Sequence, residues 1–565
     1  MHFNMYGIVF VVIILILLAI SGYRLSLEEK RQTVSLIRDS FGKSSARKLS
    51  QGRKNALQKL IELKAENDPV KDRIDDLTWS DTGMEDIFLQ MDNCLSAAGE
   101  EYLYYKLHDI GTSEEELKKT DIYVAELYKD EELRIALGSS LHELGFVKDK
   151  TLPEYLEHIV GSDKFINPWF HILADVYYIA IIIILILKPV VGAVFLAVLI
   201  LVQISSYFSL RRSAEEKLNG VTMIMRLSCM EKSLPKGLSS ETGRLIDDLA
   251  EELGSISGKR SLASFVLSSG PNSGNGLISM LLTYINLFFH FDLIASAFLL
   301  TGIKKDKDRI LDAYEKTGYL DMCLSVASYR AFLETKGEYC APEFTDKAVI
   351  SIKDGFNPLI EKPVANDAGS SGGVLITGSN ASGKSTYMRM IAVNAILAQT
   401  VATCCASAYK ASRFRIYSSI AVNDSILKGE SYFMAEIKSL KRIVDAASAD
   451  GRPVICFIDE ILRGTNTSER IAAACAVLNY LADLNVITFA ATHDIELTTL
   501  ISDKYENVHF GENITEDDVT FSYILEKGPT NSRNAIALLK KTGFPASVTE
   551  ASEKLCGELD KRSRI

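Results

Sequence analysis

The sequence predicts an α/β domain with a parallel sheet from about residue 348 onward. An all-α helical core precedes it, with transmembrane helices near the N-terminus. Three observations carry this reading. Short β-rich runs alternate with helical segments in the last third of the chain. Before that, apolar residues recur at helical spacing, as at Ile87, Met91, Leu95 and Leu103. Apolar stretches approaching membrane-spanning length occur at Tyr6 to Ile20 and Val176 to Ile204.

Composition narrows the class. The chain has 565 residues, 47% of them hydrophobic, and a net charge of −11. That suits a soluble machine with a few membrane helices. It excludes a globally basic nucleic-acid binder, so any contact with DNA must come from local basic patches. Candidates are Lys428, Lys438, Lys441, Arg442 and the pair Lys259-Arg260, although charge runs are usually solvated faces. The nine cysteines show no C-x-x-C spacing, so neither a zinc site nor a disulfide framework is expected.

The first apolar run has no basic residue before it and Arg24 after it, which reads as an uncleaved anchor. The second, extended to Trp169 and Leu210, accommodates two short spans with a turn at Lys188-Pro189. Arg24, Lys30 and Arg31 follow the first span, and Arg211 and Arg212 follow the last. Positive residues favour the cytoplasmic side, so three spans in the cell (inner) membrane leave the C-terminal domain in the cytoplasm. A third apolar stretch, Leu277 to Leu300, contains Asn286, His290 and Asp292. Ionisable groups at mid-bilayer cost on the order of 3 kcal/mol each, so this stretch is expected to be a buried helix of the soluble part.

Three runs are expected as strands of one sheet: Val374 to Thr377, Val454 to Ile458 and Val486 to Ala490. Chemistry follows each of them, as at the carboxyl ends of parallel strands. After the first comes Gly378-Ser379-Asn380-Ala381-Ser382-Gly383-Lys384-Ser385, then Thr386 at the start of a helix. This is the G-x-x-x-x-G-K-[ST] phosphate loop in its strand–helix context. Its glycines let backbone N–H groups wrap phosphate oxygens. Lys384 would meet the β- and γ-phosphates of ATP, and Ser385 would ligate Mg2+. After the second run, Asp459 would hold Mg2+ and Glu460 would orient and deprotonate the attacking water. After the third, His493 is suited to contact the γ-phosphate and register its loss. No G-x-G-x-x-G follows a strand, and the Leu-Ser-Gly-Gly signature of transporter ATPases is missing.

Together these motifs resemble the MutS family of mismatch-repair ATPases. Leu375 to Arg389 is similar to the family's phosphate loop, and Ser431-Tyr432-Phe433-Met434-Ala435-Glu436 to its signature segment. Asp459 to Thr467 resembles its Asp-Glu-x-x-Arg-Gly-Thr-x-Thr loop, and Ala491-Thr492-His493 its histidine switch. Asn357-Pro358-Leu359 and Val364 to Asp367 match the opening of its ATPase domain near the nucleotide base, and Asn531 to Ala537 its dimer-stabilising tail. Asp76-Leu77-Thr78-Trp79 and Met91 to Gly99 resemble the start of its helical core.

The resemblance implies an α/β P-loop NTPase of the MutS kind, within the ABC-type ATPases. ATP and Mg2+ would be its cofactors and DNA its partner. It also implies a homodimer, or a dimer with a MutS-like paralogue, in which Ser431 reaches the partner's γ-phosphate and ATP hydrolysis opens and closes a clamp. The family's N-terminal mismatch-reading domain has no counterpart here. A membrane-anchored switch acting on a protein or lipid is therefore the alternative.

The expected order is an anchor (1–23), a helical connector (24–70), the first half of the helical core (71–167) and a transmembrane hairpin (168–210). The second half of the core or lever (211–347), the ATPase domain (348–530) and a C-terminal dimerisation segment (531–565) follow.

Overall fold

In the computed structural model the chain divides into two compact units. One comprises residues 1–69, 91–105 and 122–331; the other comprises 70–90, 106–121 and 332–565. The structure describes residues 5–69, 72–147, 150–161, 167–256, 277–379, 382–420, 432–462, 465–514, 519–529, 539 and 542–562.

The helices up to residue 333 are α1 (Met5–Ser40), α2 (Gln51–Asn67), α3 (Asp76–Thr82), α4 (Met84–Met91), α5 (Ala97–His108), α6 (Glu114–Lys129) and α7 (Glu131–Leu144). They continue with α8 (Leu152–Val160), α9 (Pro168–Leu187), α10 (Pro189–Met230), α11 (Glu241–Ile256), α12 (Leu277–Phe289), α13 (Phe291–Lys305) and α14 (Lys307–Leu333). The first unit is all-α, as expected. One continuous helix, α1, covers both the N-terminal apolar run and the beginning of the expected connector.

The turn at Lys188-Pro189 is present. Pro189 opens α10, where its missing N–H costs nothing. Gly192 lets the two helices touch, because a Cβ there would lie 2.3 Å from Leu185 Cα. Helix α10 runs well past residue 210 and packs on α7, α8 and α11. Among the described residues, Pro189–Arg212 is long and apolar enough to cross a membrane, with 17% of its apolar window buried; His171–Leu187 is apolar but shorter.

The third apolar stretch departs from the expected single buried helix. It breaks at His290, whose φ is 54°, and its two arms bend by 78°. It packs on the hairpin helices α9 and α10. His290 Nε2 meets the Gln203 carbonyl at 2.9 Å, and its Nδ1 lies 2.9 Å from His171 Nδ1. Tyr207 donates to Asp292 at 2.9 Å. His290 and Asp292 thus find partners on the hairpin, whereas both amide atoms of the buried Asn286 have no hydrogen-bond partner among the described residues; Tyr284, Ile285 and Phe291 remain exposed.

The second unit holds the sheet. Its elements are β1 (Glu343–Phe344), β2 (Ile350–Gly355), β3 (Asn366–Ser370), β4 (Gly373–Thr377), α15 (Lys384–Thr400), β5 (Ala408–Ala411), β6 (Arg415–Ser419), α16 (Tyr432–Ser448) and β7 (Val454–Asp459). Then come α17 (Thr467–Ala482), β8 (Val486–Thr492), α18 (Leu497–Leu500), β9 (Tyr505–Ile514), β10 (Val519–Lys527) and α19 (Ala546–Arg562). The six-stranded sheet has the order β10-β9-β4-β8-β7-β6, parallel except for β10. A four-stranded sheet, β1-β5-β2-β3, accompanies it.

All three expected strands are present and adjacent. Every residue of β4, β7 and β8 is buried, as in parallel strands covered on both faces. Phe457 and Phe489 stack at 5.7 Å between β7 and β8. Residues 72–90, grouped by sequence with the helical core, fold into this unit. The Thr78 hydroxyl accepts from Ser418 N, and Asp81 accepts from the Ser418 hydroxyl and Ile420 N at 2.7 and 2.8 Å.

Candidate functional site

The site forms at the carboxyl ends of β4, β8 and β7. Beyond Thr377, Gly378 and Gly383 take φ values of 142° and 106°, a region open to glycine and strained for other residues. The loop closes on itself through Ser382, whose N–H and hydroxyl both donate to the Ser379 carbonyl. Lys384 is buried and its Nζ donates to the carbonyls of Gly378 (2.7 Å) and Ser379 (2.8 Å). The Ser379 hydroxyl is buried with no hydrogen-bond partner among the described residues. A loop of this shape, with an ammonium and an unsatisfied hydroxyl at a helix N-terminus, fits an anion.

The Ser385 hydroxyl donates to Asp459 Oδ2, so the two residues expected to share Mg2+ are in direct contact. Their oxygens match the hard ligands this cation prefers. Glu460 follows with φ 58°, and Leu462 has φ 57°. Left-handed backbone at a residue with a side chain costs roughly 1–2 kcal/mol and persists where neighbours hold it. Here Glu460 N–H donates to the Ala491 carbonyl at 2.9 Å. Glu460 Oε1 lies 2.7 Å from His493 Nε2, and Lys384 Nζ is 3.4 Å from the same nitrogen. The shorter contact suits an Nε2–H donated to the Glu460 carboxylate. Lys384, Ser385, Asp459, Glu460 and His493 therefore converge as their motifs predict. The direct pairing of His493 with Glu460 was not legible from spacing.

Beside the loop lies a cleft of about 480 Å3, lined by Asn357, Ile360, Lys362, Val364, Asn366, Gly383 to Tyr387, Phe510 and Tyr523. Its size suits a small-molecule ligand. Asn357, Val364 and Asn366 come from the segments assigned near the nucleotide base. Thr386 is exposed on its wall. Asn366 holds β10 from both amide atoms: Nδ2 donates to the Tyr523 carbonyl at 2.9 Å, and Oδ1 accepts from Leu525 N at 2.8 Å. Tyr523, with φ 53°, was missed; an aromatic residue in a strand carries no signal of its own.

Asn380, Ala381 and Ser431 lie outside the described residues, as do Asn531 to Ala537. Of the basic residues considered for DNA, Lys428 and Lys259-Arg260 also lie outside them. Arg442 pairs with Asp75, and Lys441 with Asp445 one helical turn on. Both charges have an acidic partner within the unit.

Comparison with known proteins bears on the same region. Residues 374–560 match the family model MutS domain V. The human MutS protein homolog 4 is 30% identical over 293 residues, 48% of this chain and 30% of its own length. The DNA mismatch repair protein MutS of Streptococcus uberis is 29% identical over 275 residues, 46% of this chain and 32% of its own length. The protein of the same name from Natronomonas pharaonis is 32% identical over 261 residues, 44% and 30% of the two chains. The chain thus spans about a third of the length of these curated relatives.

Proposed function

We propose that this chain, a relative of the MutS family through its domain V, binds Mg-ATP in the cleft and hydrolyses it to ADP and phosphate. One observation carries the reading. Lys384, the Ser385–Asp459 pair and the Glu460–His493 pair meet at the ends of three adjacent parallel strands.

Each residue then has a role set by its chemistry. Backbone N–H groups of the loop after Gly378 would face the phosphates, and Lys384 would supply a positive charge there. Ser385 and Asp459 would hold Mg2+, which would neutralise phosphate charge when bound. Glu460 orients a water molecule and takes its proton as the oxygen attacks the γ-phosphorus and the bond from that phosphorus to the bridging oxygen of ADP breaks, ADP leaving with that oxygen. His493 touches Glu460 and neighbours Lys384, so a change at the terminal phosphate is felt by the base.

We further propose that two such domains act as a dimer, with Ser431 contributing to the partner's site, and that the cycle opens and closes a clamp on mismatched or branched DNA. The relatives named for DNA mismatch repair support the DNA part of this reading. The exposed apolar surface of α9 and α10 supports tethering to the cell membrane, and Arg211 and Arg212 after the last span support a cytoplasmic ATP site.

The test is the Mg2+-dependent ATPase rate of the detergent-purified chain, with and without homoduplex, mismatched and branched DNA, across a salt series. Stimulation that weakens with salt is expected, because phosphate contacts release counterions. Turnover with no DNA response and no DNA retention would overturn the clamp and leave a membrane-anchored switch. No turnover would overturn the ATPase itself.

A further inference from the structure

We propose that Arg470 and Asp494 form a clasp that positions His493 against Glu460, an inference that rests on the ATP-hydrolysis reading above. Arg470 lies in the first turn of α17, just after the loop that carries Glu460. Asp494 directly follows His493. The guanidinium grips both carboxylate oxygens, Nε to Oδ2 at 2.8 Å and Nη2 to Oδ1 at 2.6 Å. This is the two-pronged geometry in which Arg fixes direction as well as distance.

Both ends of the clasp are anchored. Arg470 N–H donates to the Asn466 carbonyl at 2.8 Å, and Leu497 N–H to the Asp494 carbonyl at 3.2 Å. Asp494 N–H donates to the Thr492 hydroxyl at 3.0 Å. The loops after β7 and β8 are thus tied at three points: Glu460 N–H to Ala491 O, Glu460 to His493, and Arg470 to Asp494.

The arrangement explains how a strained loop stays in place. Glu460 and Leu462 both have left-handed backbone, which relaxes unless its surroundings determine it. The clasp fixes the α17 end of that loop to the residue beside the histidine. Its charge acts in the same direction. Hydrogen bonding to Asp494 strengthens the guanidinium's hold on its proton, and the Glu460 carboxylate adds to this. The Arg470 field therefore reaches the proposed base. Arg470 is a positioning residue; it acts on the reaction through Asp494, His493 and Glu460.

The experiment measures kcat, KM for ATP and binding of a fluorescent ATP analogue on the full chain in detergent. Arg470→Met and Asp494→Asn are expected to lower kcat by roughly 10- to 100-fold, the scale of a small misplacement of reacting groups. KM should stay within about twofold, because ground-state binding is untouched. Arg470→Lys keeps the charge but loses the fork, and should fall between; it decides the matter if the Met variant fails to fold. Exchanging the partners, Arg470→Asp with Asp494→Arg, should recover at least about fivefold over the worse single variant, as coupled residues do. Single variants with wild-type kcat, or an exchanged pair as slow as the singles combined, would overturn the clasp. If Glu460→Gln abolishes turnover while these variants retain it, the clasp fails alone. A wild-type chain without turnover removes the ATPase reading and the clasp with it.

Discussion

The sheet unit and the apolar hairpin distribute polarity in opposite ways. In the sheet, β4, β7 and β8 are buried along their whole length, and the polar groups collect at the strand ends, where they bond to one another. In the hairpin, Ile186 and Val190 are 75% and 79% exposed, while His171 and Gln203 of the hairpin and Asn286 and His290 of the bent stretch packed on it are buried. Water drives the first arrangement, since apolar surface is removed and charge stays near the rim. The second is the arrangement that apolar surroundings favour, in which ionisable groups face the bundle interior and pair there. A polar cluster therefore has to be read against its surroundings: at the strand ends it marks the proposed chemistry, whereas at the hairpin it is also how helices hold together.

The largest effect that would sharpen the comparison is at the strand ends. Glu460→Gln should leave ATP binding intact and lower kcat by about 10² to 10⁴, the range for a lost general base. Single-turnover hydrolysis checks this, and an unchanged rate would remove Glu460 from its role. The corresponding change in the hairpin is a charge on its exposed face. Ile183→Asp and Leu201→Asp each add roughly 3 kcal/mol if those faces contact lipid. The fraction resisting an alkaline carbonate wash should drop with each and fall further with both. A wild-type chain released by the wash would end the membrane reading.

Legibility followed the same division. The phosphate loop, Asp459-Glu460 and His493 stood out because each combines a turn or charge with a buried β-run before it, and those runs became β4, β7 and β8. The turn at Lys188-Pro189 was equally plain, since proline opens a helix and no side chain blocks Gly192 from Leu185. What stayed hidden depends on long-range contact. Asp81 looks like any helical aspartate, yet it holds Ser418 and Ile420 from more than 300 positions away. Arg470 and Asp494 read as surface charges until their 24-residue separation closes. The break at His290 was missed because Asn286, His290 and Asp292 read as positions of one buried helix; the bend rests on partners in α9 and α10.

A third prediction concerns a carboxylate buried in the helical unit. Asp321 accepts from Leu95 N and from the Ser96 N–H and hydroxyl, and burial pushes its pKa up to about 7. Its folded pKa lies above the unfolded value, so between about pH 4 and 7 the folded state binds more protons. Stability must then fall as pH rises through that window. Chemical denaturation followed by circular dichroism should show this slope, and Asp321→Asn should flatten it. Gly99 permits the arrangement, because a Cβ there would lie 2.2 Å from Asp321 Oδ2. Gly99→Ala should destabilise the unit by about 1–3 kcal/mol, as overpacking does.

The smallest effects lie at helix caps and test whether a local signal stays local in both regions. The Ser50 hydroxyl caps α2 by accepting from Arg53 N at 3.1 Å. Asn466 caps α17 by accepting from Ser468 N at 3.1 Å. Replacing either by Ala should cost about 1 kcal/mol. Hydrogen exchange read by mass spectrometry should speed up in peptides covering the capped helix, Leu57 and Leu60 in one case, Ala474 and Leu478 in the other. Only the second variant should also touch turnover, because α17 carries Arg470 and the strained loop ends at its cap. A fall in kcat with Ser50→Ala, matching that of Asn466→Ala, would mean that the reaction is sensitive to stability in general rather than to the position of the loop.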